Sequence, residues 1–141
     1  MRHTLPVAVH LFFKRDADIL LLRRFNTGYE DGNYSVPAGH LELGETVTQC
    51  AIREANEEVG VTLHPGDLEV VHVMNRKGND ERIDFFVQVK SWDGEPTNCE
   101  PHKCDELSWS TLDHLPTNVI PYVRHAIANV SAHIRFSEFG W

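Results

Sequence analysis

Apolar and polar positions divide the chain into segments of two periods, one suited to strands and one to helices. Residues 5–13, LPVAVHLFF, and 18–24, DILLLRR, are apolar runs rich in strand formers. The polar KRDA parts them, and together they predict a β-hairpin. The stretch 26–34, NTGYEDGNY, predicts a loop by its Gly, Asn and Asp content. A short segment, YSVPAGH, leads to a helix whose start and stop are both marked. Thr46 is a good N-cap, Gln49 three residues on completes a capping box, and Gly60 closes the helix. Residues 68–76 and 82–90 have strand composition around the turn KGNDE. A polar loop with two prolines follows over 92–106, and LSWST predicts a brief strand. Residues 118–134 predict a second helix, in which Pro121 is tolerable only in the first turn. The tail RFSEFGW ends in aromatics expected to pack back on the rest. Strands, helix, strands, helix, without repeat or linker, predict one α+β domain over residues 1–141.

The first helix carries an anomaly. At about 100° per residue, Val47, Ala51, Ile52, Ala55 and Val59 fall on one arc. Cys50, Glu54, Glu57 and Glu58 fall on the neighbouring arc. Glu54 meets Glu57 at i+3 and Glu58 at i+4, and each such like-charge pair costs a few tenths of a kcal/mol, roughly. Glu54 and Glu58 also border the apolar stripe, where charge is poorly screened. A solvated acidic face intersperses lysines at i+4, and this helix has only Arg53. The pattern fits a hard-cation site for Mg²⁺, or Mn²⁺ in its place, which wants oxygen ligands and tolerates retained waters and phosphates.

Charge and composition narrow the partners. With 21 acidic residues against 13 basic ones the formal net charge is −8, which disfavours nucleic acid and anionic membrane as partners. The apolar run ILLL stops at Arg23 and Arg24, short of a membrane span, and the start lacks a convincing signal-peptide cleavage site. Cys50, Cys99 and Cys104 form no CxxC pair and read as reduced thiols of a cytoplasmic protein. Nine scattered histidines without ligand spacing propose no zinc site.

Residues 39–61, GHLELGETVTQCAIREANEEVGV, resemble the Nudix box, Gly-x5-Glu-x7-Arg-Glu-U-x-Glu-Glu-x-Gly-U with U a bulky aliphatic. The matching positions are Gly39, Glu45, Arg53, Glu54, Glu57, Glu58, Gly60 and Val61, and Ala55 at the first aliphatic position is the one departure. The resemblance implies the Nudix fold, a mixed sheet between helices, and Mg²⁺-dependent hydrolysis of a nucleoside diphosphate linked to a further group. It implies metal ligands at Glu57, Glu58 and the backbone carbonyl of Ala38, with Glu54 a ligand or the base that acts on water. Arg53 would orient these carboxylates, and Glu45 would support them. Gly39 fits a sharp turn of the chain beside the metal.

Residues 92–100, WDGEPTNCE, resemble the segment of MutT-type nucleoside triphosphate pyrophosphohydrolases in which a loop glutamate reaches the metals, here Glu100. Glu54 is the first choice of base and Glu100 its competitor. The proline near Arg76 that often marks ADP-ribose hydrolases, the tyrosine of diadenosine polyphosphate hydrolases and the upstream coenzyme A motif are missing. The substrate expected is therefore a (d)NTP or modified purine nucleotide, a small molecule cut to monophosphate and pyrophosphate. A nucleotide sugar or other nucleoside-diphosphate derivative is the alternative within the class, and a non-catalytic ligand-binding module the alternative outside it. The resemblance places base contacts near Asn118, Val119 and Ile120, though Val119 and Ile120 fit helix core equally well; His10 and Phe12 of the first strand fit either further lining of that pocket or filled positions of the sheet. Arg23 and Arg24 alternate faces, so one of the two points at phosphates. Many relatives are homodimers, which nothing in these residues requires.

Overall fold

The computed structural model describes residues 1–141. The first hairpin forms as β1 (Val7–Arg15) and β2 (Asp18–Arg24), turning at Asp16, which takes a positive φ of 56°. Two short strands, β3 (Tyr34–Ser35) and β4 (Ala38–His40), precede helix α1 (Val47–Val59). The long strands β5 (Leu68–Lys77) and β6 (Glu81–Val89) form the second hairpin. Strand β7 (Cys104–Thr111), helix α2 (Pro121–Ser131) and a last strand, β8 (Phe136–Phe139), complete the chain.

Strand β1 is the axis of the molecule. On one edge it runs parallel to β6 from Val7 to Phe13. On the other edge Ala8–His10 pair with β4, and the last two residues pair with β2. Strand β2 in turn carries β3 and β7, so the mixed sheet opens where β1 passes from β4 to β2. A strand shared in this way is covered on both faces, which is why Ala8 to Phe13 are all buried and read as an apolar run broken only by His10.

Alternate residues of β1 feed two cores. Val9, Leu11 and Phe13 pack with Cys50, Ala51, Ala55 and Val59 of α1. Phe12, with Ile19 and Leu21 of β2 and Phe86 of β6, packs against Val123, Ala126 and Ile127 of α2. Two helices thus sandwich one mixed sheet, as the sequence led us to expect. The capping box at α1 is present, with the Thr46 hydroxyl accepting from Gln49 N and the Gln49 side chain accepting from Thr46 N. Gly60 ends the helix at φ 70°.

Three boundaries differ from expectation. The second helix begins at Pro121, not 118, because a proline at the first helical position holds the residue before it in extended backbone. Asn118–Ile120 instead lie beside β3, where Tyr34 N donates to Asn118 O and Ile120 N donates to Tyr34 O. The short LSWST strand extends back to Cys104 through its pairing with β2. The aromatic tail becomes β8, a parallel edge strand on β5.

Candidate active site

Strand β4 runs directly into the acidic face of α1, and Arg53 is the hub that joins them. Its Nε and one Nη grip both oxygens of Glu45, at 2.7 and 2.9 Å. The other Nη donates to Glu54 Oε1 at 2.6 Å and to Glu57 Oε2 at 3.3 Å. The grip on His40 O, at 3.1 Å, ties the helix to the end of β4. Glu45 takes the two-point hold, and the Arg53 hydrogen bonds draw its carboxyl down to about 2.

Glu54 and Glu58 behave in the opposite sense. Burial pushes the Glu54 carboxyl up, Arg53 pulls it part of the way back, and the Glu57 and Glu100 charges push it up again. Glu58 is raised well above the usual carboxylate range by burial and then by Glu54 and Glu100. The Ala38 amide, donating to Glu58 Oε2 at 2.8 Å, offsets a part of that. Glu54, buried, and Glu58, half-buried, share Glu100 as a repelling neighbour and form a strongly negative focus.

Gly39 has a reason different from the expected sharp turn. It is an ordinary strand residue opposite Val9, and its φ is not positive. A Cβ built on it would lie 2.0 Å from Glu54 Cδ and Oε1. The glycine is there because the Glu54 carboxylate lies against the backbone of β4. Ala55, the departure from the box, is wholly buried between α1 and the sheet.

Gly39, Arg53, Glu54, Glu57 and Glu58 line a cleft of about 910 Å³, together with Ala38 and Glu100, whereas Glu45 stands outside it and acts through Arg53. Glu100 is set in the 92–106 loop by its own backbone: its N–H reaches Asn98 Oδ1, and its carbonyl accepts from Lys103 N and Cys104 N. Of the two arginines ending β2, Arg24 lines the cleft and Arg23 does not. Arg23 pairs with Asp105 at 2.8 Å on the outer surface, and a register shift between the two residues separates their directions. Arg24 is turned inward and braces the 26–33 loop through Tyr29 O and Thr27 Oγ1.

Asn118 and Val119 stand outside the cleft. The Asn118 amide donates to Gly32 O, and Val119 lies 4% exposed in the α2 core. Their placement beside β3 follows from the late start of α2. His10 does line the cleft, whereas Phe12 is core.

Other cleft residues had weaker sequence signals. Arg76, Tyr122, Tyr29 and Lys103 all line it. Arg76 shares a strand face with His72 and Met74 by the two-residue period, so a buried charge on β5 was readable there. Lys103 lies in an irregular loop, where no periodicity announces it. It has no carboxylate partner, unlike Arg53 and Arg76.

The profile of the NUDIX domain matches residues 4–131. The 8-oxo-dGTP diphosphatase of Escherichia coli (strain K12) is 31% identical over 93 residues, which are 65% of this chain and 70% of that protein. The NAD-capped RNA hydrolase NudC of Stutzerimonas stutzeri (strain A1501) is 52% identical over 102 residues, 70% of this chain, but the chain spans only 34% of that protein. Among solved structures, a MutT NUDIX hydrolase from Burkholderia pseudomallei superposes with a TM-score of 0.82 at 26% identity, over 89% of this chain and 98% of that one. A MutT protein from Methanosarcina mazei Go1 superposes with a TM-score of 0.79 at 20% identity, over 94% and 96% of the two chains, and shares the fold. The chain belongs to the NUDIX family, as a pyrophosphohydrolase of phosphoanhydride bonds in nucleotide-derived substrates.

Proposed function

We propose that this protein hydrolyses a nucleoside triphosphate, with Mg²⁺, to the monophosphate and pyrophosphate. The observation that carries the reading is the gathering of Glu54, Glu57, Glu58 and Glu100 with the Ala38 backbone in a nucleotide-sized cleft. The name of the Escherichia coli relative, an 8-oxo-dGTP diphosphatase, supports the same class of substrate.

The donor set fits a hard divalent cation. Arg53 engages Glu54 through Oε1, and Ala38 N engages Glu58 through Oε2, so each acid keeps one oxygen without a protein partner. The acids do not close into a ready cage of three. That suits Mg²⁺, which takes one or two carboxylates and fills its octahedron with waters and substrate phosphates. When bound, Mg²⁺ supplies charge neutralisation for the diphosphate and makes a water more acidic.

The chain's own groups do the rest. Arg53 holds Glu54 and Glu57 in position. A water attacks phosphorus and gives its proton to Glu54 or Glu100, and the phosphoanhydride bond breaks to leave pyrophosphate. Arg24 and Lys103 line the same cleft and are the cations we assign to the substrate phosphates. The raised Glu54 is a better proton acceptor than an ordinary carboxylate, which suits a base.

A second reading keeps the chemistry and changes the leaving group. The similarity to NudC favours a nucleoside diphosphate joined to another metabolite. A panel of canonical and oxidised dNTPs, NAD⁺, ADP-ribose and nucleotide sugars, assayed with Mg²⁺, separates the two. Triphosphate turnover that Glu57→Gln loses by about a hundredfold or more supports the first reading. Turnover confined to the joined diphosphates replaces it with the second.

A further inference from the structure

One buried group of the cleft has no part in the hydrolytic step. His10 lies on β1 directly opposite Ala38 of β4, is 3% exposed and lines the cleft. Its ring stacks on Phe86 with centroids 4.6 Å apart and planes 15° apart, and meets Tyr122 edge-on at 5.6 Å. Its Nε2 lies 2.9 Å from Oδ1 of Asp84, a carboxylate with no exposed surface. A carboxylate only accepts, so Nε2 carries the hydrogen. Arg76 donates to the other Asp84 oxygen at 2.7 Å and already answers its charge. Stack and hydrogen bond together fix the ring.

The second ring nitrogen, Nδ1, is buried without a partner. In the neutral ring it is an acceptor, and buried polar atoms without partners mark places where a ligand supplies the missing half. Its surroundings are aromatic on several sides. Besides Phe86 and Tyr122, Tyr29 on the facing loop leaves 40% of its surface open and lines the same cleft. Phe86 backs the ring from the core, while Tyr122, with the Arg76 guanidinium 3.6 Å over its ring, and Tyr29 line the cleft itself. A fixed acceptor beside two tyrosines suits a heterocycle better than a sugar or a phosphate.

We propose that His10 Nδ1 is a specificity-determining acceptor, taking a hydrogen bond from an N–H of the substrate's base. This rests on the reading of the substrate as a nucleotide, but not on which anhydride is cut. A site built to hold a polar group rejects the analogue that lacks it, because the buried partner is then left unpaired.

The test is binding of nucleoside monophosphates to the whole chain, in pairs that differ by one amino group on the base. GMP against IMP, AMP against purine riboside monophosphate, and CMP against its 4-deamino analogue serve, with 2′-deoxy forms to register any sugar contribution. At least one pair should differ by about tenfold, and His10→Phe should bring that pair within about threefold by weakening only the amino-bearing member. Should the variant fail to fold, the wild-type protein labelled with ¹⁵N-histidine reports directly. The bare His10 nitrogen should move when the amino-bearing nucleotide binds and stay when its partner does. No difference in any pair, a difference that survives in His10→Phe, a bare nitrogen unmoved by bound nucleotide, or no monophosphate binding at millimolar concentration overturns the proposal. A sugar-only dependence does the same. Turnover separates the two readings: a protein that cuts only joined diphosphates, yet couples His10 to a base amino group, loses the triphosphate reading and keeps this one.

Discussion

Glu58 holds a charge where a charge is costly, and that cost is the signature of its role. Burial and the charges of Glu54 and Glu100 raise its carboxyl, so at neutral pH the ionised form destabilises the fold. The sign follows from linkage: a group whose folded pKa is raised contributes stability below its unfolded pKa and loses it as pH rises through the folded value. Glu58→Gln keeps an acceptor for Ala38 N and removes the charge. With chelator present the variant should melt a few degrees above wild type, of the size about 1 kcal/mol gives, yet lose about a hundredfold or more in turnover. Added Mg²⁺ should raise the wild-type melting temperature and leave that of the variant nearly unmoved. Thermal melts in chelator and in Mg²⁺ check both, and a variant less stable than wild type in chelator defeats the account. Gly39→Ala works through the same acid. Its Cβ would strike the Glu54 carboxylate at 2.0 Å, and a flexible side-chain end can move aside. Activity should therefore fall about a hundredfold with little change in melting temperature, as kcat and a melt on one preparation would tell. Both acids were legible from spacing alone, since the helical period sets them beside the apolar stripe. The direction of Arg24 over Arg23 was not, because a strand irregularity decides it and nothing in two adjacent arginines announces one.

Elements were legible where the chain marks its own ends. Thr46, Gln49 and Gly60 bracket α1 within 15 residues, and the helix forms between them as expected. Removing that mark has a local cost: Thr46→Ala should lower stability by about 1 kcal/mol. Because the cap lies one residue from Glu45, it should also loosen the Arg53 grip and lower activity more than the stability loss explains. Denaturant melts and turnover at saturating Mg²⁺ would measure the two, and equal activity would confine the cap to stability. The second helix was misplaced by three residues for a physical reason. Its apolar run begins at Val119, and the period cannot tell a helical Val from one in extended backbone held by β3. That slip carried Asn118 and Val119 away from the cleft. The tail was illegible in another way. Four residues, Phe136–Phe139, become a strand only because β5 offers an open edge and His72 holds Ile134 O and Ser137 Oγ at 2.7 Å each.

At the scale of the whole molecule, buried charge decides how the acidic cluster and the support behind His10 respond to acid. The acidic cluster is raised, at Glu54 and Glu58, so it protonates early as pH falls, and the Mg²⁺ affinity we propose for it should decline first. Asp84, which holds His10 from behind the cleft, is held low. Burial pushes Asp84 up, but hydrogen bonds from His10 and Arg76 outweigh it and bring the carboxyl down to about 2. A depressed carboxyl contributes stability that is complete above its unfolded pKa and is lost as pH falls through the folded value. The window for Asp84 therefore runs from about pH 4 down to about pH 2, well below the range in which the raised acids titrate. Activity and fold should consequently fail in two separate steps on acidification, with Mg²⁺-dependent turnover lost first and the structure later. Asp84→Asn removes the titrating group, so its stability should be lower at neutral pH, by 1–3 kcal/mol or roughly that for a broken buried charge–hydrogen-bond set, and flatter between pH 4 and 2, roughly where the lost linkage acted. Denaturant midpoints across pH 2 to 8, roughly at unit spacing, test this against the wild type. Parallel curves for the two proteins below about pH 4 would mean that the strain of acid is taken elsewhere, and that His10 and Arg76 hold Asp84 for position beside the cleft and not for stability.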